Sequence, residues 1–138
     1  MANEIKFIDY SSKVKEALST RSEATLEECA GELESQVKRN TRVRTGKTKN
    51  SWQHTVNKNG EVTEAHVGSN YENTIWEEFG TGDYALQGNG RKGGWYYEDE
   101  KGEGHFTHGK KPSRAFWNTY NSLKNSIIKQ IQNSFKGL

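Results

Sequence analysis

The side chains best suited to metal binding are four histidines, of which His105 and His108 lie closest together. They would share a face only on a helix, yet they fall in a segment of strand and loop character, and neither cysteines nor a carboxylate cluster complete a ligand set around them. A small metal-dependent hydrolase using His105 and His108 is therefore the weakest of three functional hypotheses. The sequence predicts no metal site and no cofactor.

The other candidates for catalysis are Cys29 and the adjacent pair Glu77 and Glu78. Cys29 falls on the apolar stripe of a predicted helix, where a small buried thiol is usual. Adjacent side chains diverge on a helix or strand, so the two glutamates do not converge on one substrate. No serine occupies a nucleophile elbow, and no glycine-rich loop has the phosphate-binding pattern. The sequence predicts a protein that is not an enzyme and has no small-molecule substrate.

A basic segment at residues 38–52 is the strongest nucleic-acid signal. Cations attract phosphate and an aromatic ring can stack on a base, although the last turn of a helix also favours cations through its dipole. The alternative function is therefore a nucleic-acid-binding accessory protein. The segment contains Lys38, Arg39, Arg42, Arg44, Lys47, Lys49 and Trp52.

The net charge of +2 hides four blocks of alternating sign. Residues 1–36 have a net charge of −4, residues 37–60 of +7, residues 61–104 of −7 and residues 105–138 of +6. Such blocks can neutralise one another within the fold, or they can pair between subunits, where charge complementarity fixes the register. Both interpretations stay open at the level of the sequence.

The composition predicts one domain, residues 1–138, with a thin core. Leu, Ile, Val and Phe together make up 23 of 138 residues, but fifteen aromatic side chains supply large areas for burial. A domain with so little core gains stability from burial against neighbours, which favours an assembly subunit. A single cysteine and the lack of a signal or membrane-spanning pattern predict synthesis in a cytoplasm and no membrane partner.

The first half of the chain predicts a strand, a long helix and a hairpin. Ile5, Phe7 and Ile8 suggest a short opening strand, and an apolar stripe predicts a helix near residues 12–40. Asn59-Gly60 lies between two alternating runs and marks the hairpin turn. The stripe contains Val14, Leu18, Leu26, Cys29, Ala30, Leu33 and Val37.

The second half predicts helical turns from Tyr71 to Phe79, a flexible glycine-rich loop at about 80–94, a second hairpin and a last helix. Six of the fifteen loop residues are glycine. The second hairpin has Trp95-Tyr96-Tyr97 and His105-Phe106-Thr107 as its arms, and Pro112 suits the first turn of the last helix. The predicted class is α+β: a small antiparallel sheet with a long N-terminal, a short middle and a long C-terminal helix packed on one face.

Three segments, in their order and spacing, resemble the tail-completion, or head–tail joining, proteins of tailed bacteriophages. The segment 44–51, RTGKTKNS, is similar to the family's Thr-Gly-basic-x-x-Asn-Ser signature, although Arg42-Val43-Arg44 stands where relatives usually have Pro-Val-Asp. VGSNY at 67–71, running into EFGTG at 78–82, resembles the Val-Gly…Tyr…Glu-Phe-Gly-Thr block. The aromatic segment from Gly94 to Gly109, followed by Pro112, is a looser match.

The resemblance implies a structural protein of the virion, a subunit of a ring at the head–tail junction. Its implied partners are copies of itself, the connector or head-completion protein, and tail-terminator or tail-tube proteins, with DNA passing through the ring without specific binding. The structural motif comprises Thr45, Gly46, Asn50, Ser51, Gly68, Tyr71, Glu78, Phe79, Gly80, Thr81 and Gly82. Candidate contacts with subunits or partners are Arg42, Arg44, Lys47, Lys49, Trp95, Tyr96 and Tyr97.

One further hypothesis joins the two best motifs through Glu78. Thr45-Gly46 should form a tight turn between helix and strand, and Phe79 should anchor in the core and fix Glu78 nearby. The Glu78 carboxylate would then accept hydrogen bonds from the Thr45 hydroxyl or from backbone N–H groups of the turn. The alternative is a solvated surface acid that happens to precede a core phenylalanine.

Overall fold

The computed structural model describes residues 9–136, which contain four α-helices, one 3-10 turn and two β-hairpins. The predicted α+β class is confirmed, with the strands divided between two separate two-stranded sheets. The predicted opening strand at residues 5–8 lies outside the described residues. The helices are α1 (Ser11–Asn40), α2 (Lys47–Ser51), α3 (Asn73–Phe79) and α4 (Ala115–Ser134); the strands are β1 (Trp52–Asn59), β2 (Val62–Ser69), β3 (Trp95–Glu98) and β4 (Gly104–Thr107).

Helix α1 is continuous over its predicted range, but only its C-terminal half is buried. The predicted stripe is correct from Cys29 to Val37 and wrong at Val14 and Leu18, which are exposed. The reason is that the apolar core lies at Leu33 and Val37, whereas the early turns of α1 lie beside the polar tip of the first hairpin, where Lys15 is 3.7 Å from Glu61. The helix ends where the Thr41 hydroxyl donates to the carbonyl oxygen of Val37 at 2.6 Å.

The core is small and is built around Trp52. Leu33, Val37 and Trp52 form its buried centre, and Phe116 stacks on Trp52 with ring centroids 5.6 Å apart. The indole N–H of Trp52 donates to the Thr41 hydroxyl at 3.0 Å, so this buried polar group is satisfied. Val67, Leu123 and Ile127 pack around this centre.

Both hairpins are antiparallel and close to their predicted positions. β1 pairs with β2 from Trp52↔Ser69 to Asn59↔Val62, so the turn is Gly60-Glu61, one residue later than Asn59-Gly60. Gly60 has φ +64°, a conformation that glycine adopts without strain. β3 pairs with β4 from Trp95↔Thr107 to Glu98↔Gly104, as the aromatic arms predicted.

Helix α4 begins at Ala115, three residues later than Pro112 predicted. The segment before it is held against α3 and the 3-10 turn (Gly82–Tyr84) instead of entering the helix. Ser113 donates its backbone N–H to the carbonyl oxygen of Glu77 at 2.8 Å, and Arg114 then turns the chain with a left-handed φ of +55°. Within residues 9–136, no helix has the length and apolar character needed to cross a membrane.

Candidate functional site

An open, mainly apolar groove of about 650 Å³ lies between α3 and the first turn of α4. We call it the α3–α4 groove. Trp52 and Phe116, which belong to the core packing, contribute to its floor. Its walls include Ile75 and Trp117, which are 53 % and 51 % exposed, and Phe79, which is also exposed. Large apolar side chains arranged around a concavity are typical of a surface that another molecule covers.

Glu78 joins the two walls of this groove by capping α4. Its carboxylate oxygens accept hydrogen bonds from the backbone N–H groups of Phe116 and Trp117, each at 3.0 Å. These are the second and third residues of α4, whose N–H groups have no partner inside the helix. A negative charge at this end also interacts favourably with the helix dipole. Glu78 is only 8 % exposed, and the Arg114 guanidinium lies 3.8 Å from its carboxylate.

The hypothesis of a clasp between Glu78 and residues 44–47 is therefore wrong. Glu78 is neither a solvated surface acid nor bonded to the Thr45 turn, because α4 takes both of its oxygens. Phe79 does not anchor in the core either, since its ring is partly exposed beside the Arg114 guanidinium at 5.2 Å. The Thr45 hydroxyl instead accepts a local hydrogen bond from the backbone N–H of Lys47 at 3.3 Å.

The two motifs do meet, through a cluster of hydroxyl groups. Ser51 lies 2.6 Å from Ser69, and Ser69 lies 2.8 Å from Thr74. The Ser69 hydroxyl also accepts the backbone N–H of Tyr71 at 3.1 Å. The cluster therefore ties the end of α2, the end of β2 and the start of α3 together beside the groove.

Gly46 makes the predicted tight turn, but a short helix missed from the sequence follows it. Gly46 has φ +83°, and its carbonyl oxygen accepts the backbone N–H of Asn50 at 2.9 Å, within the first turn of α2. Residues 47–51, which the sequence assigned to the start of β1, therefore form this helical turn, and β1 begins at Trp52. Gly68 lies within β2, paired with Gln53, where an added Cβ would have open space around it.

Glu77 points away from Glu78, as expected for adjacent residues, and carries an ion-pair network. Its carboxylate pairs with the Arg42 guanidinium at 3.2 Å and with the Lys110 ammonium. Arg42 also donates to the carbonyl oxygen of Lys111 at 2.8 Å. Arg42, predicted as a partner contact, therefore ties the loop after α1 to α3 and to the segment before α4.

The segment from Gly80 to Gly82 lies against residues 108–110. Thr81 and Lys110 exchange two hydrogen bonds, one to the Lys110 carbonyl oxygen at 2.9 Å and one to the Thr81 hydroxyl at 2.8 Å. Gly80 ends α3 with φ +79°, as predicted. At Gly82, which has φ +61°, a Cβ would overlap the carbonyl oxygen of His108, so this close approach requires glycine.

The second hairpin presents aromatic rings to solvent. Tyr96 is 81 % exposed and Phe106 49 % exposed, and their rings form an edge-to-face pair with centroids 4.9 Å apart. Trp95, on the alternate face of the strand, lies against Gly82 and beside the Arg91 guanidinium at 5.5 Å. Tyr97 is also exposed and packs beside His105 at 5.4 Å. The Trp95 side faces the molecule. On the Tyr96–Phe106 face, the His108 ring packs edge-on against Phe106 at 5.2 Å, and the rest of this face is exposed.

The tip of this hairpin is acidic and tightly bonded. One oxygen of Asp99 accepts the backbone N–H groups of Lys101 and Glu103, and the other lies 2.8 Å from His105 Nε2. The hydrogen bond from His105, followed by that from the Glu103 N–H, lowers the pKa of Asp99. Asp99, Glu103 and His105 are close enough to share a metal ion, a grouping missed from the sequence because the turn creates it. Both oxygens of the Asp99 carboxylate, however, already have hydrogen-bond partners within the turn.

His108 does not join this group. Its Nδ1 lies 2.9 Å from Asp83, which holds the end of β4 against the 3-10 turn and lowers the pKa of Asp83. His105 and His108 thus have separate carboxylate partners, so the pair does not form the shared site that the hydrolase hypothesis requires. Cys29, predicted to be a buried thiol, is 3 % exposed, and burial raises its pKa.

His54 forms a second titratable cluster, between β1 and α1. Its ring nitrogens lie 2.5 Å from Glu27 and 3.1 Å from Glu34. The hydrogen bond with Glu27, opposed by desolvation and assisted by Glu34, raises the pKa of His54. Glu27 and Glu34 are seven residues apart and so share a helix face, but only the packing of β1 against α1 brings His54 to them.

The basic segment is partly neutralised within the fold. Arg42 pairs with Glu77, and Lys38 lies 3.8 Å from Glu34. Arg44 and Lys47 are exposed and Lys49 is half-buried. Arg39 is exposed as well, so the alternative function, nucleic-acid binding through residues 38–52, stays a prediction.

A family model described as "Bacteriophage HK97-gp10, putative tail-component" matches residues 5–85, more than half of the chain. The chain belongs to this HK97 gp10-like family of bacteriophage tail components. The match contains α1, the first hairpin, α3 and the Glu-Phe-Gly-Thr-Gly segment, so it covers one wall of the α3–α4 groove. No curated protein and no solved structure matches the chain. Family membership supports a structural role in the virion, in agreement with the resemblance noted from the motifs.

Proposed function

We propose that this chain is a structural subunit of an oligomeric ring at the head–tail junction of a tailed phage. The whole of residues 1–138 acts as a single head–tail joining domain. Copies of the chain contact one another around the ring, the connector or head-completion protein lies on one side, and tail-terminator or tail-tube proteins lie on the other. DNA passes through the ring without specific binding, and the subunit has no catalytic role.

The observation that carries this proposal is the presence of two unlike apolar surfaces on one small domain of a phage tail-component family. The α3–α4 groove is concave, and the Tyr96–Phe106 face of the second hairpin stands out into solvent. A ring is built from heterologous contacts, in which two different faces of identical subunits meet. The small core centred on Leu33, Val37 and Trp52 agrees with a subunit that gains stability from its neighbours.

The test is a phage whose copy of this gene carries an early stop codon. If the chain joins heads to tails, the lysate contains DNA-filled heads and complete tails that do not associate, and adding the purified protein restores joined, infective particles. Electron microscopy and plaque counts measure both outcomes. Joined particles without the protein, or heads that fail to fill with DNA, would contradict the proposal. A protein variant with Glu16→Gln, an exposed position on α1, serves as the control for restoration.

A further inference from the structure

We infer that the second hairpin of one copy docks in the α3–α4 groove of the neighbouring copy. The Tyr96–Phe106 face enters the groove, and the acidic tip of the hairpin lies on a basic cleft beside it. This inference rests on the proposed function in one respect: it names the two faces through which subunits of a ring would meet.

The first argument is the match of shape and polarity. Tyr96 and Phe106 form an edge-to-face pair on the side of the hairpin opposite Trp95, and both rings stay exposed although His108 packs against one edge of Phe106. Paired aromatic rings bury a large area with little loss of side-chain freedom, and such residues are enriched at the centres of interfaces. The groove offers Ile75, Phe79 and Trp117 as an apolar lining of the matching kind.

The second argument is charge. Residues 98–103 of the hairpin tip carry four acids and one lysine. A cleft lined by Arg42, Arg44, Lys110 and Glu77 adjoins the groove, and Tyr71 borders both. The cleft therefore has an excess of positive charge and lies next to the apolar groove. On the hairpin, the acidic tip likewise lies next to the aromatic face, so each apolar surface is flanked by a charge opposite to that of the other. Complementary charge at the rim of an apolar contact fixes its register and speeds encounter.

The third argument is that one copy cannot satisfy both surfaces itself. The hairpin is fixed to its own chain through Trp95 against Gly82 on one side and through His108, which lies beside Phe106, with Asp83. Tyr96 and Phe106 stay exposed there, and Ile75 and Trp117 stay exposed in the groove. Pairing a hairpin with the groove of the next copy covers both surfaces through a heterologous contact, and such contacts form a ring when the rotation between neighbouring copies closes.

The experiment uses full-length chains and detects weak contacts. An isotopically labelled Tyr96→Asp, Phe106→Asp variant keeps its groove but has no apolar hairpin face, so it cannot associate with itself through this contact. Unlabelled wild-type chain is added in increasing amounts, and amide and indole chemical shifts are recorded. The spectrum of the labelled chain also shows that the variant is folded. We expect shifts at Ile75, Phe79 and the Trp117 indole.

Three unlabelled partners make the result specific. The Tyr96→Asp, Phe106→Asp variant should bind at least about tenfold more weakly than wild type, because two central aromatic contacts are lost. A Tyr84→Asp variant changes an exposed tyrosine outside both surfaces and should bind as wild type does. A variant with Glu98, Glu100 and Glu103 changed to Gln should bind more weakly at about 0.05 M salt, with a smaller difference at about 0.5 M.

Absence of groove shifts at millimolar wild-type chain would overturn the inference. So would shifts of the same size with the hairpin variant, since the groove would then take another occupant, such as the exposed Tyr10, Val14 and Leu18 face of α1. The binding measurement does not depend on phage assembly. A chain that binds itself in this way while particles join without it would contradict the proposed function and leave the interface standing.

Discussion

Glu78 accepts a hydrogen bond from the backbone N–H of Phe116 at 3.0 Å, although the two residues are 38 positions apart. The same carboxylate accepts the N–H of Trp117. Helices usually receive this cap from the residue directly before them, but Arg114 occupies that place in a left-handed conformation and makes no side-chain cap bond. The start of α4 is thus set by tertiary structure, and this one contact fixes both the C-terminal helix and the shape of the groove.

Changing Glu78 to Gln should destabilise the protein by about 1.5–3 kcal/mol, the range for buried hydrogen bonds to a charged group. The amide would keep one acceptor oxygen, but its NH₂ group would face a backbone N–H and the favourable charge at the helix start would be lost. Urea unfolding measures the change. Glu16→Gln, on the exposed face of α1, is the control and should stay within about 0.5 kcal/mol of wild type. Equal stability of the two variants would disprove the capping role.

Arg42 and Glu77 should show a measurable coupling in a double-mutant cycle. We expect about 0.2–1 kcal/mol between Arg42→Ala and Glu77→Ala, because the pair is partly exposed and therefore screened. The coupling should shrink at high salt. The cycle of Arg44→Ala with Glu77→Ala is the matched control and should give a value near zero. Similar coupling energies in both cycles would mean that the loop between α1 and α2, and not the Arg42–Glu77 ion pair, causes the change in stability.

His54 should stabilise the protein more at mildly acidic than at alkaline pH. Its pKa is raised in the folded state, chiefly by the hydrogen bond with Glu27. Its contribution is therefore fully present below the unfolded-state pKa of about 6.5 and is lost as the pH rises through the higher folded-state value. The stability difference between wild type and His54→Gln should therefore fall as the pH rises above about 6.5, which urea unfolding at several pH values would measure. A pH-independent difference for His54→Gln would refute this assignment.

Gly82 and Gly88 form a matched pair for testing the close approach of the glycine-rich segment to residues 108–110. Both have positive φ, but a Cβ at Gly82 would overlap the His108 carbonyl oxygen, whereas Gly88 has open space around it. Gly88→Ala should cost about 1–2 kcal/mol from backbone strain alone. Gly82→Ala should cost about 1–3 kcal/mol more, because neighbouring backbone must move. Thermal unfolding compares the two, and equal losses would count against the close contact.

The flexible loop at about 80–94 remains a prediction, although both of its ends are held. Hydrogen bonds join Thr81 and Asp83 to residues 108–110 and Gly93 to the Asp83 carboxylate, so the freest part should lie around Gly88, which has open space about it. Limited proteolysis of the free protein should cut there first, and assembled particles should be cut more slowly. Mass spectrometry of the fragments locates the sites. Equal protection in the free and assembled protein would rule out ordering on assembly.

Local signals predicted the elements of this fold well. The second hairpin was predicted to within one residue because its aromatic arms and polar tip are adjacent in the chain. The partner of Glu78 could not be predicted, since contacts between residues 38 apart depend on how the elements pack. Pro112 was misleading for the same reason: a proline is compatible with a first helical turn, but the hydrogen bond from Ser113 to Glu77 holds this segment extended along α3.

Helix α4 also sets the order in which this protein acquires its properties. Phe116, Leu123 and Ile127 pack against the core, and Phe116 and Trp117 line the groove. Stability and the groove are therefore gained in the same folding step. A nascent chain that has not yet docked α4 lacks the surface that would admit it to a larger particle. If the groove is the docking surface proposed above, folding itself would act as quality control, because a growing virion would take up only subunits in which α4 has docked.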